Sequence, residues 1–120
     1  MKTRTMSWTT NGSGAATVTG KSVPGGALVE AVTYIPGDTA TGATVTVTDE
    51  FAGASFTIWV QATAGTSTIR EFPRTLEQLN TDGSDLATHT RPVIAGVPKV
   101  VIASGGDTKS GSLILHLSEE

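Results

Sequence analysis

The sequence predicts an all-β chain: an antiparallel β-sandwich, jelly-roll-like, of seven or eight short strands. Three observations carry that prediction. Thr supplies 21 of the 120 residues, and Thr and Val, both stiff at χ1, suit a pleated surface. Gly, Pro, Asn and Asp recur in clusters, as turns between short strands require. The candidate strands alternate apolar and polar residues, and they fall about 8–12 residues apart, the spacing of sandwiches and barrels.

The elements follow in order. Residues 1–14 are polar and end in Asn11-Gly12-Ser13-Gly14, which reads as a flexible N-terminal arm ahead of a single sandwich domain over 15–120. Met6 and Trp8 share a face, so this stretch serves either as a short edge strand or as an arm that docks elsewhere. Ala15 to Lys21 is a short strand, and Pro24-Gly25-Gly26 a turn. Ala27 to Ile35 is apolar on both faces, as in a strand covered on two sides. Ala43 to Asp49 alternates, with Val45 and Val47 inward and Thr44, Thr46 and Thr48 outward. Ser55 to Gln61 alternates too, with Phe56, Ile58 and Val60 opposite Thr57, Trp59 and Gln61. These two strands form an antiparallel hairpin.

From Ala62 to Arg91 the pattern weakens. Ser67 to Phe72 is a candidate strand. Thr75-Leu76-Glu77-Gln78 matches a capping box and, with Leu79, predicts one helical turn. A polar loop follows over Asn80 to Asp85. Val97 to Ser104 and Ser112 to Ser118 are the last strands, joined by the loop Gly105 to Gly111 and expected to form a second hairpin.

Several functions are excluded by composition. The chain has no cysteine, so it has neither a disulfide scaffold nor a thiolate site. No apolar run approaches the roughly 18 residues of a membrane span. The opening Met1 to Trp8 is basic but lacks the apolar stretch of a signal peptide, so export is not expected. Eight basic residues against eleven acidic ones argue against a nucleic-acid partner. Leu, Ile, Val and Phe total 27 residues, only a little above the roughly 20% below which chains tend towards disorder. Such a thin core is expected to gain stability from a partner or from self-association.

Candidates for chemistry give way to structural readings. Gly14 to Ser22 resembles a phosphate loop, but five residues separate its glycines instead of four and Pro24 opposes a following helix. His89 and His116 lack a partner at metal spacing, and no Gly-x-Ser-x-Gly elbow is present. Asp49 and Glu50, adjacent in a strand, point to opposite faces. Asp82 and Asp85 suit Asx-type turns better than a calcium loop. Asn11-Gly12-Ser13 is a formal glycosylation sequon without an export signal to give it meaning. No catalytic residue, metal or cofactor is expected. The candidates for partner binding are Met6, Trp8, Trp59, Arg70, Arg74 and Arg91. Trp59 lies on the polar face of its strand, either as an interface anchor or flat on threonine methyls. The three arginines suit an acidic partner surface.

Three stretches carry a resemblance: Ala31-Val32-Thr33-Tyr34-Ile35-Pro36-Gly37; the strand ending Val47-Thr48-Asp49-Glu50; and Ala95 to Ile102 running through Gly105-Gly106-Asp107-Thr108-Lys109-Ser110-Gly111 into Ser112 to Leu117. Over 27–60 and 95–117 the chain resembles small β-sandwich virion proteins of tailed bacteriophages, of the capsid cement or decoration type. It departs from their pattern where Phe51 and Ala52 precede the turn glycine. The resemblance implies a non-enzymatic protein, made in the host cytoplasm and carried on the outer surface of the virion. Its implied partner is the major capsid protein, with self-association as a dimer or trimer. A tail, fibre-base or head–tail joining role is the alternative within virions. A carbohydrate-binding module using Trp8, Trp59 and Tyr34 is the alternative from another class. If residues 1–14 are an arm anchored by Met6 and Trp8, deleting residues 2–10 weakens attachment to shells and leaves the sandwich folded.

Overall fold

The computed structural model describes residues 2–78 and 84–118. Among them are eleven strands: β1 (Lys2–Thr9), β2 (Ala16–Thr19), β3 (Ala27–Ile35), β4 (Thr44–Phe51), β5 (Ala54–Gln61), β6 (Ile69–Glu71), β7 (Thr75–Gln78), β8 (Asp85–Thr90), β9 (Val93–Ile94), β10 (Val97–Ala103) and β11 (Ser110–Ser118). One sheet runs β1-β11-β3-β6, with β9 also on β3, and a second runs β2-β10-β4-β5. Strands β7 and β8 form a separate ribbon.

Four antiparallel pairs nest like brackets: β1 with β11, β2 with β10, β3 with β6, and β4 with β5. Successive pairs alternate between the two sheets, which is the wiring of a jelly roll. The all-β sandwich predicted from the sequence is therefore the observed fold, and β7 to β9 are an addition between β6 and β10. Apolar side chains from both inner faces fill the space between the sheets. Val29, Val32, Tyr34, Val45, Val47, Val100, Leu113, Leu115 and Leu117 have no solvent exposure.

This wiring corrects the C-terminal hairpin. Strands β10 and β11 lie in different sheets, and the segment between them crosses the end of the sandwich. Positive φ angles at Ser104, Gly106 and Thr108 bend it. It is held to the β1–β2 turn, where Thr10 exchanges backbone and side-chain bonds with Lys109 and the Gly105 amide donates to the Gly14 carbonyl at 2.8 Å. In that turn Asn11 Oδ1 accepts from the Ser13 and Ala15 amides, so the sequon is an Asx-type turn.

The N-terminal arm is also corrected. Residues Lys2 to Thr9 pair with β11 along their whole length. Their polar alternation marks an outer sheet face, not a mobile segment. Met6 and Trp8 point into the core at 1% and 3% exposure. The Trp8 indole stacks on the Tyr34 ring at a centroid distance of 5.9 Å and donates its N–H to Thr39 Oγ1 at 3.2 Å. Pro36-Gly37 turns beneath this stack. At Gly37, with φ of 58°, a Cβ would lie 2.3 Å from the Ser110 carbonyl oxygen, so only glycine lets β3 turn against β11. Asp38 then accepts the Ser110 amide at 2.7 Å.

Two β-bulges redistribute the faces. In β3, Ala31 pairs with His116 and Val29 with Leu117, so Glu30 is an extra residue. Ala27, Val29, Val32 and Tyr34 thus all face inward, and the apparent two-faced apolar strand is one face broken by a bulge. In β5, Trp59 pairs with Val47 and Thr57 with Thr48, which leaves Ile58 as the extra residue. Trp59 is thereby turned into the core rather than onto a polar surface. The β4–β5 turn is Ala52-Gly53, both at positive φ, as a tight two-residue hairpin requires.

The capping-box segment Thr75–Gln78 is strand β7, not a helical turn. A single isolated turn cannot offset its nucleation cost, whereas pairing with β8 satisfies the backbone. Leu79 and the loop residues 80–83, Asp82 included, lie outside the described residues.

Because β1 covers β11 and half the Trp8–Tyr34 stack, deleting residues 2–10 should abolish cooperative folding instead of sparing it. Trp8→Ala should cost about 3–5 kcal/mol in urea unfolding.

Candidate functional site

The edge of β3 is shared between two short strands. β6 pairs with Val32 to Tyr34, and β9 with Ala27 and Leu28. The chain leaves this edge after Glu71, runs out as the β7–β8 ribbon, and returns at Pro92, whose carbonyl accepts the Val29 amide at 2.8 Å. The gap falls at Glu30 and Ala31, beside the bulge.

Glu30 ties both roots of the ribbon to β3. Arg91, on the returning root, pairs with Glu30 Oε1. Arg74, on the departing root, donates from Nη1 to the Glu30 carbonyl at 3.4 Å and to the Pro73 carbonyl at 2.7 Å. Ser118 in β11 donates its hydroxyl to Glu30 Oε1 at 2.8 Å. The Ser118 hydroxyl first, and then the Arg91 and Arg74 guanidinium groups, hold the Glu30 carboxyl below the usual carboxylate range against an opposing effect of desolvation.

Next to it, on the outer face of the same sheet, Arg70 Nε donates to Thr33 Oγ1 at 3.0 Å. Thr33 Oγ1 is also 2.9 Å from His116 Nε2. Burial, and then the Arg70 charge, lower the His116 pKa, which keeps the ring neutral at pH 7. Glu30, Ala31, Arg70, Phe72, Arg74 and His116 line an open groove of about 330 Å³. Two arginines line it against one carboxylate, which is itself paired with Arg91, so the groove is cationic on a chain of net charge −3. The Glu30 carboxylate is engaged by two donors, and the Thr33 hydroxyl is buried beneath Arg70. The groove is thus suited to holding an anion beside an aromatic ring, not to activating a nucleophile.

The structure therefore brings together Arg70, Arg74 and Arg91, which sequence alone left scattered. It separates them from Met6, Trp8 and Trp59, whose placement in the core removes them as surface anchors. The apolar surface is supplied by residues the sequence reading passed over. All three phenylalanines are more than half exposed: Phe51 at 51%, Phe56 at 56% and Phe72 at 61%. Phe56 has the alternation of a core residue, but it pairs with Asp49 near the end of the β4–β5 hairpin and is left exposed there. Phe51 and Phe56 sit near the tip of the β4–β5 hairpin, beside Gly96 in the β9–β10 loop. Asp49 fixes that loop by accepting the Ala95 and Gly96 amides, each at 2.9 Å. Glu50 faces outward and pairs with Lys99 at 3.3 Å, so the two adjacent acids form no acid/base pair. His89 is exposed on β8. Among the described residues no three His, Asp or Glu side chains could together hold a metal ion.

The ribbon root should be most stable at neutral pH. His116 has a folded pKa below its ordinary 6.5, so protonation favours opening as the pH falls below that value. Glu30 has a folded pKa below its ordinary 4.5, so its contribution is present above that value and lost as the pH drops through the carboxylate range. Hydrogen exchange at residues 70–75 and 88–93 should accelerate over both ranges, and Glu30→Gln should remove the lower one.

Comparison of the chain with protein-family models, with curated proteins and with solved structures finds no match.

Proposed function

We propose that this chain is a non-enzymatic virion protein of a tailed bacteriophage that decorates the capsid and stabilises it by bridging capsid subunits. The observation that carries the reading is the placement of the aromatic residues. The two tryptophans and the tyrosine are in the core, while every phenylalanine lies outside it. In a domain with so few large apolar residues, leaving three phenylalanines in water costs stability unless another surface covers them. The arginine groove beside Phe72 adds charge to that apolar surface, the combination that enriches protein interfaces in aromatic residues and Arg.

Two further observations support the reading. The stretches that carry the resemblance to cement proteins are neighbours in space: Pro36 to Asp38 packs on Ser110, and Val47 to Glu50 pairs with Val97 to Val100. Jelly rolls recur in viral capsid and lectin domains, a likeness of fold that leaves function to the site. The carbohydrate-binding alternative loses its platforms, because Trp8, Trp59 and Tyr34 are all buried. A decoration protein acts through many modest contacts repeated over a lattice, where avidity replaces single-site affinity.

In co-sedimentation with empty shells of the phage that encodes it, the purified protein should bind to saturation. Phe72→Ser should weaken binding by about tenfold or more while leaving the thermal midpoint nearly unchanged, and Arg74→Glu should weaken it as much while also lowering the midpoint, because it sets a carboxylate beside Glu30. Absence of the wild-type protein from the pellet would count against the reading. Equal binding by both variants would place the contact elsewhere on the surface.

A further inference from the structure

The side of the sandwich opposite β5 and β6 is open. There β1 is the last strand of one sheet and β2 the last strand of the other. They are joined by a tight turn in which the Asn11 amide donates to the Ala15 carbonyl at 2.9 Å, yet they form no ladder with each other. Away from that turn they enclose a cleft of about 500 Å³. An edge strand presents a row of N–H and C=O groups that no neighbour takes up, so this cleft has such a row on each wall.

Its lining is chemically specific. Met6 and Val18 provide an apolar floor, Thr5 and Thr19 provide hydroxyls, and Arg4 and Lys21 provide positive charge. No carboxylate lines it. Arg4 is loosely held: its Nη1 and Nη2 reach carbonyls of Thr3 and Ser22 only at 3.3 and 3.4 Å, and its buried Nε has no partner. A second copy of the same edge is a poor occupant, because Arg4 and Lys21 of both copies would share one seam.

We infer that the β1–β2 cleft is a strand-addition site for an extended segment of another protein in which acidic residues alternate with apolar ones. The backbone of such a segment pairs with β1, β2 or both. Its apolar side chains descend onto Met6 and Val18, and its carboxylates meet Arg4 and Lys21. Main-chain pairing supplies affinity and the alternate side chains supply selectivity, as in other β-augmentation sites. The inference is independent of the decoration reading, since the cleft shares no lining residue with the Phe72 groove.

The test is a titration of the isotopically labelled chain with a capped heptapeptide of alternating Val and Glu, followed by amide NMR shifts and hydrogen exchange. The expected result is shifts and slowed exchange at residues 3–7 and 18–21. Binding of the corresponding Val–Lys peptide should be at least about tenfold weaker, and methylation of alternate peptide nitrogens should abolish binding. Lys21→Glu, at an exposed position, should reduce the preference for the acidic peptide, and Arg4→Glu with Lys21→Glu should reverse it if that variant retains native amide dispersion. No response at either strand, equal response to both peptides, or shifts confined to the Arg70–Arg74 groove would overturn the inference.

Discussion

The edge of β3 is the constraint on which much of the rest depends. Strand β3 is covered on one side by β11 and lies at the centre of its sheet, so its other edge also needs hydrogen-bond partners. Two short strands divide that duty, and the break between them is where the β7–β8 ribbon leaves the sandwich. Glu30, the extra residue of the bulge, stands at that break and is held by Ser118, Arg91 and Arg74. One irregularity in one strand thus keeps the inner face continuous, anchors an excursion of about twenty residues, and gathers three arginines on the outer face.

The second irregularity acts in the same way in the other sheet. The Ile58 bulge turns Trp59 inward against Val47, while Phe56, paired with Asp49, is exposed near Phe51 at the hairpin tip. Each bulge decides which neighbouring side chains the core shelters. The structure thereby keeps its largest aromatics for the core and places its phenylalanines at the surface.

Much of the fold was legible in the sequence because period-two alternation is a local signal. Strands β3, β4, β5, β10 and β11 lie within a few residues of the stretches that alternation marks, and the sandwich class follows from their number and spacing. Which strands pair was less legible, since a jelly roll separates neighbours in sequence: β10 and β11 look like a hairpin but join different sheets. Residues 2–9 looked like an arm because their Thr and Ser residues are the outer face of an edge strand, a pattern that polarity alone does not distinguish from flexibility. Half the candidate site was visible as arginines in a weakly patterned stretch. Their convergence was not, because Glu30, which holds Arg74 and Arg91, lies 44 and 61 residues upstream of them. The face of Trp59 depends on a single inserted residue that no composition or spacing reveals.

Under the proposed function, the exposed phenylalanines and the arginine groove are contact surface, and the jelly roll is the rigid frame that presents them. That account requires many copies on a regular shell. Quantitative mass spectrometry of purified particles, with the major capsid protein as internal reference, tests it most directly. The account predicts a ratio to the major capsid protein of one or a simple fraction of it. A dozen copies or fewer per particle, or absence from the particles, would contradict it.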